Sequence, residues 1–561
     1  MAREVTGSKR VFPAVWMLVG MVWMGGVSAD GQTAARFAQV AEINRQIAAG
    51  WKDYGIRPSP AATDGEWCRR LYLDLLGRIP TVEEVQAFLK SRDSDKRRKL
   101  VAKLLYDEEY TEEYARNWTT LWTNILIGRT GGTERRTLIS RPGMQKYLRD
   151  AFARNKPYDR MVFELVTSTG TTKPGSPNFN GAVNFLIGKV NDEKGAQATA
   201  ATARIFLGMQ VQCTQCHNHP FNSWKQRKFW EFNAFFRQTR ALRRYEPGTR
   251  NLAYAELVDE DFGGEGSSPE EAEIYYELRN GLLKAAYPVF LDGTVIPRSG
   301  LLKDVNRRRE LGKLIVNSPY VSRAIVNRMW AHFMGYGFTK PIDDMGPHNI
   351  PTHPELLDYL ADEFARQSYD LKLLIQWIVL SRPYALSSKT NKSNEKIDDP
   401  LLGESPKFSR FYLRQMRAEE LYESLLVATE ADRAGGNYEQ QEKAKSDWLR
   451  QFVVAFGNDE GTEMTTFNGT IPQVLMMFNG SLIKRAMDVK SGGVLGKVLR
   501  SPMSTKNKIE YLYLAGLARK PTREELGWAS QLMRVHKGDP GKALQDIWWA
   551  VLNSNEFIFN H

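Results

Sequence analysis

The chain of 561 residues carries 77 Lys and Arg against 65 Asp and Glu, a formal net charge of +12 at pH 7 with histidine neutral. With 42% hydrophobic residues it is long enough for roughly two to four packed domains. The basic residues alternate with acidic ones, as in Asp95-Lys96-Arg97-Arg98-Lys99, which reads as a solvated helix face and, with the export signal described next, excludes a nucleic-acid partner.

The N-terminus places Arg3, Lys9 and Arg10 before an apolar run from Val11 to Val27, and Val27-Ser28-Ala29 then offers small residues for a signal peptidase. This predicts a signal peptide over residues 1–29, cleaved before Asp30. If uncleaved, the segment anchors the protein, and it is the single expected membrane contact, since no later segment is long and apolar enough to span a bilayer. The expected location is the periplasm or the cell surface. There a basic protein could meet acidic glycans or phospholipid headgroups, and both disulfides and haem c are chemically at home.

Residues 35–240 read as helical. Leu71-Tyr72-Leu73-Asp74-Leu75-Leu76 leads through Gly77-Arg78-Ile79-Pro80 to Thr81 and Glu84, a capping box that starts a second helix carrying Val85 and Phe88. The arrangement returns at Leu512-Tyr513-Leu514 through Arg519-Lys520-Pro521-Thr522-Arg523-Glu524-Glu525, with a weaker third copy at Pro351-Thr352-His353-Pro354-Glu355. Amphipathic helices are expected after each, over Arg98–Tyr110, Lys542–Phe557 and Leu371–Leu380. These repeated helical hairpins read as structural. Cys68 reads as a buried thiol.

Residues 241–300 read as an acidic, Gly-rich linker. An exposed loop is expected over 246–273, then a short β-hairpin between Ala286 and Pro297 around Asp292-Gly293. Residues 301–561 read as a second helical domain. The expected fold is mainly α: two multi-helical domains with repeated helical hairpins and a short β-hairpin between them.

The chemistry concentrates at Cys213-Thr214-Gln215-Cys216-His217-Asn218-His219, which holds two of the chain's three cysteines. Cys-x-x-Cys-His is the attachment pattern of c-type haem, in which two thiols bond the vinyl groups and the imidazole ligates iron. A helix is predicted over Ala196–Met209 before it, and the aromatic run Phe229–Phe236 after it reads as core or porphyrin wall. His332, Met345, His348 and His353 are candidates for a sixth haem ligand or for a metal site, although singly each reads as a core or capping residue. His536 and His561 have no such company.

On these motifs the chain resembles the exported two-domain proteins of planctomycetes and verrucomicrobia, a family of unknown function. The N-terminal half of that family is known as a cytochrome-c-like domain and the C-terminal half as a companion planctomycete domain. The resemblance is carried by Leu71–Thr81, Tyr158-Asp159-Arg160, Cys213–Phe221, Val326–His332, His353–Asp358, Met416–Leu421 and Asn479-Gly480. It implies a haem-binding role. Some relatives carry cysteines between the Phe-Gly and Asn-Gly motifs of the second half, whereas residues 456–479 here hold none.

Three readings follow. The first is electron transfer to a redox partner protein through one haem c on Cys213, Cys216 and His217. The second is zinc, structural or hydrolytic, held by Cys213, Cys216, His217 and His219, with His332, His353 or Asp343 completing an open site. The third is a non-catalytic scaffold or glycan-binding surface protein. No nucleophile–base pair or catalytic motif stands out, so no reaction is assigned.

Overall fold

The computed structural model describes residues 29–561 except 135, 221–223, 267, 434–436, 457–469 and 491. The expected signal segment up to Ser28 lies outside the described residues, as does most of the cysteine-free stretch after Phe456. The fold is mainly α, as the periodicity predicts.

The chain begins with α1 (Ala29–Asp53), α2 (Asp64–Leu76), α3 (Val82–Lys90) and α4 (Lys96–Tyr106). It continues through α5 (Glu108–Ile127), α6 (Arg141–Ala153), α7 (Tyr158–Thr167), strand β1 (Gly170–Thr171), α8 (Ala196–Leu207) and α9 (Gln226–Asn233). Strands β2 (Thr239–Tyr245), β3 (Leu252–Asp259), β4 (Ile274–Glu277) and β5 (Leu283–Ala286) follow. Then come α10 (Arg307–Val316), α11 (Pro319–Met334), α12 (Pro354–Arg366), α13 (Leu371–Val379), β6 (Arg414–Gln415) and α14 (Ala418–Thr429). The remainder comprises α15 (Tyr438–Phe456), α16 (Ile471–Asn479), α17 (Ser481–Ala486), α18 (Val494–Arg500) and α19 (Thr505–Leu517). It closes with α20 (Arg523–Val535), α21 (Pro540–Leu552), α22 (Asn555–Ile558) and β7 (Phe559–Asn560).

Two of the three expected hairpin copies share one local design. The hydroxyl of Thr81 accepts from the Glu84 N–H at 3.2 Å, and Glu84 accepts from the Thr81 N–H at 2.7 Å. Arg78 then clamps the turn, 2.8 Å from Glu84 and 2.6 Å from Glu113 on α5. The second copy repeats this with Thr522, Glu525 and Arg519, which reaches Glu525 at 2.8 Å and Glu556 at 2.6 Å. The copies also touch: a Cβ added to Gly65 at the start of α2 would lie 2.3 Å from the Ala518 carbonyl. The third copy differs. His353, not Thr352, caps α12, and its side chain makes no capping bond.

Local caps also reset several expected boundaries. The helix expected over Arg98–Tyr110 is two helices, because Asp107 ends α4 and its carboxylate caps α5 through the Glu109 N–H at 3.1 Å. The helix expected over Lys542–Phe557 breaks where Ser554 caps α22. The helix expected to reach Met209 stops at Gly208, which takes φ +65°.

Residues 241–300 are more than a linker. β3 occupies part of the expected 246–273 loop and pairs antiparallel with both β1 and β2, giving strand order β1-β3-β2. Its inner face buries Leu257 opposite Ala241, while its outer face pairs Arg244 with Glu256 at 2.6 Å. That polar outer face hides the strand from a hydropathy reading. β4 and β5 form a second hairpin, and the one expected between Ala286 and Pro297 reduces to a single bridge, Val289 to Val295.

Buried apolar side chains from Ile43 to Ile558 form one continuous cluster. Ile43, Ile47 and Trp51 repeat every four residues along α1, which packs on α12 and α13. The C-terminus closes back on α2: Arg69 donates to the carbonyls of Phe557 at 2.6 Å and Phe559 at 3.0 Å, and Arg70 donates to that of His561 at 3.0 Å.

Candidate functional site

The Cys-x-x-Cys-His segment follows the C-terminus of α8. Gly208 is required there on two counts: its φ is positive, and a Cβ would stand 2.8 Å from the Met345 sulfur. The Gly208 carbonyl accepts from the Met345 N–H at 2.7 Å, and Gln210 donates to Asp343 at 2.8 Å. The Asp343–His348 loop is thereby fastened alongside the motif.

A 3-10 turn, Gln212–Gln215, then carries the first cysteine. Thr214 is its buried anchor, donating to the Val211 carbonyl at 2.6 Å. From below, Trp230 and Gln226 on α9 both donate to the Gln215 carbonyl at 3.1 Å. With its backbone held inward, the turn leaves Cys213 and Cys216 exposed, neither bonded to another sulfur. Partial desolvation raises the pKa of the exposed Cys213 thiol, and the nearby Asp344 carboxylate adds to the effect.

His217 is half-buried, and its Nδ1 lies 2.7 Å from the Asn218 carbonyl oxygen. A carbonyl oxygen only accepts, so Nδ1 carries the proton and the Nε2 lone pair is left for a metal. Asn218 is fixed in turn by the Gln226 N–H, which its side-chain oxygen accepts at 3.0 Å. Beside His217 an open cavity of about 640 Å³ is lined in part by Pro220, Leu278, Arg279 and Asn280. This volume falls within the range typical of cofactor clefts.

His219 faces the neighbouring loop, its ring centroid 6.0 Å from that of His348. His348 donates through Nε2 to Asp344 at 2.8 Å. His348 therefore adjoins the motif, and Met345, on the same loop, packs its sulfur beside Gly208 just before it. His332 and His353 do not adjoin it. His332 packs on Trp118 at 5.1 Å and lies 3.4 Å from the Asp74 carbonyl oxygen, and burial pushes its pKa down to about 3, with Arg417 nearby. His353 sits against Phe338 and Phe408, and burial pushes it to about 4. Both are neutral side chains packed against aromatic rings away from the motif.

Among the described residues, no three His, Cys, Asp or Glu side chains are grouped to hold a metal ion. Cys68 is wholly buried, as expected. The positioning roles of Gln226 and Trp230 were not legible in the sequence, since each reaches the Gln215 carbonyl only once α9 packs beneath the turn.

Residues 42–241 match the family model PSCyt2, described as a protein of unknown function (DUF1549), and residues 307–533 match PSD1, likewise of unknown function (DUF1553). No curated protein and no solved structure matches the chain. The Cys-x-x-Cys-His segment lies within the first of these regions and the Asp343–His348 loop within the second, so the chain carries two families of unknown function in tandem.

Proposed function

We propose that this is an exported electron-transfer protein carrying one c-type haem. The observation that carries the reading is the hydrogen bond from His217 Nδ1 to the Asn218 carbonyl, which presents Nε2 as an iron ligand beside two exposed, unpaired thiols. Each thiol would add across a vinyl group, sulfur bonding one carbon and the thiol proton going to the other. His217 would ligate the iron through Nε2, Arg279 would supply a cation for the propionates, and the Asp343–His348 loop holds Met345 and His348 as further candidate ligands. The bound group would supply one-electron redox chemistry. The chain's part is to hold the ligand tautomer.

The test is expression in a bacterial periplasm with haem c maturation. A Soret band and a thioether-type pyridine haemochrome, both lost in Cys213→Ser/Cys216→Ser, are expected. A colourless protein made under conditions that mature a control cytochrome contradicts the reading.

A further inference from the structure

We propose a second site, remote in role from the haem motif, that binds an acidic saccharide unit. It is a cavity of about 370 Å³ at the turn of the β2–β3 hairpin, lined by Arg136, Arg243, Tyr245, Thr249, Arg250 and Leu252. Three guanidinium groups and no carboxylate line it. Of the carboxylates nearby in sequence, Glu256 pairs with Arg244 at 2.6 Å and Glu246 accepts from Asn251 at 3.3 Å, and neither they nor Glu134 line the cavity. Among the described residues, Arg136, Arg243 and Arg250 form no ion pair.

All three arginines are exposed and line one cavity, so a bound oxyanion would gain charge-assisted hydrogen bonds from guanidinium groups that no carboxylate occupies. Two features of the backbone serve the convergence. The hairpin register shifts between Arg244 and Tyr245, a bulge that re-aims the end of the strand. Across from it, Arg136 holds φ +69°, a left-handed conformation disfavoured for an arginine. Arg243 pairs in register with the buried Ala255, so it continues the inner face of the hairpin out to its exposed end, where a ligand can reach it.

The remaining lining selects the ligand class. Tyr245 is 52% exposed and presents a ring face of the kind that sugars stack on, and Thr249 adds a hydroxyl. Guanidinium forks match sulfate, phosphate or carboxylate groups bidentately. A lipid surface would call for a basic patch rimmed by inserting apolar side chains, and here Leu252 is the single aliphatic residue in the lining.

Calorimetric titration of the full chain with a sulfated disaccharide is the test, with inorganic sulfate and phosphatidylglycerol vesicles as parallel arms. Saturable binding of the disaccharide that weakens with salt is expected, tighter than for sulfate alone. Arg243→Ala and Arg250→Ala should each weaken it about tenfold, the scale of a lost charge-assisted hydrogen bond. Tyr245→Ala should weaken the disaccharide but not sulfate. Arg240→Ala, an exposed arginine of β2 outside the cavity, should leave affinity unchanged, and thermal melting should confirm that every variant folds. Three results would each overturn the proposal: no saturable binding, an equal loss in Arg240→Ala, or binding confined to the vesicles. A colourless preparation that still binds the disaccharide would leave this site standing without the haem.

Discussion

Asp74 on α2 accepts a 2.6 Å hydrogen bond from the side chain of Asn560, 486 residues further along the chain. The same carboxylate takes the Tyr384 hydroxyl at 2.7 Å and pairs with Arg414 on β6. Asp74 is fully buried, and burial lowers the pKa of Arg414 to about 10, which leaves it a cation at neutral pH. One carboxylate thus ties the first sequence motif, the β6–β7 pair and the C-terminus into a single unit.

Asp74→Ala should therefore destabilise the protein by about 3–5 kcal/mol, because the Arg414 guanidinium stays buried without its counter-charge. Equilibrium denaturation measures this. An unchanged midpoint would mean that water or another group takes over the role.

The two hairpin clamps should differ in strength despite their near-identical sequences. The Arg78 side chain is 7% exposed and that of Arg519 is 29% exposed. Arg78→Ala should cost about 3 kcal/mol, as for a buried pair, and Arg519→Ala about 1 kcal/mol, as for one screened by solvent. Thr81→Ala and Thr522→Ala should each cost about 1 kcal/mol as lost N-caps. A reversed order in the arginine pair would contradict the burial argument.

How much of this was legible in the sequence depends on range. Thr81 with Glu84, and Thr522 with Glu525, signal helix starts because both partners lie within one turn. Asp107 and Ser554 act just as locally, but each sits inside an amphipathic stretch whose period continues past it, so the breaks were missed. Arg69, Arg70 and Asp74 were the harder case: charged residues in an apolar helix signal buried partners, but the partners lie at the far end of the chain. At the candidate site the cysteines, His217, Met345 and His348 were legible as residue types. Which histidines belong together was not, since His332 and His353 differ from His348 only in what the fold packs around them.

Stability should fall as the solution is acidified. Burial holds His332 near 3 and His353 near 4, below the usual 6.5, and lowers His561 as well. Over that window the unfolded chain binds more protons than the folded one, so stability rises with pH. The contribution is complete above about pH 6.5 and is lost as pH falls through the folded-state values. His332→Phe should flatten the dependence of the melting temperature on pH between about 4 and 6.5. A slope equal to that of the parent protein would exclude His332 as a source.

Thiol labelling should split the cysteines. In protein made without haem, Cys213 and Cys216 should react with an aromatic disulfide reagent in the native state, while Cys68, buried and with its pKa raised by that burial, should react only on unfolding. Native labelling of Cys68 would contradict its place in the core.

The most direct measurement is the mass of the peptide spanning Cys213 to His219 from protein matured in a periplasm. This peptide is expected to gain the mass of one haem, to keep it through denaturation, and to lose it in Cys213→Ser/Cys216→Ser. An unmodified peptide with two free thiols, from cells that load haem onto a control cytochrome, would contradict it.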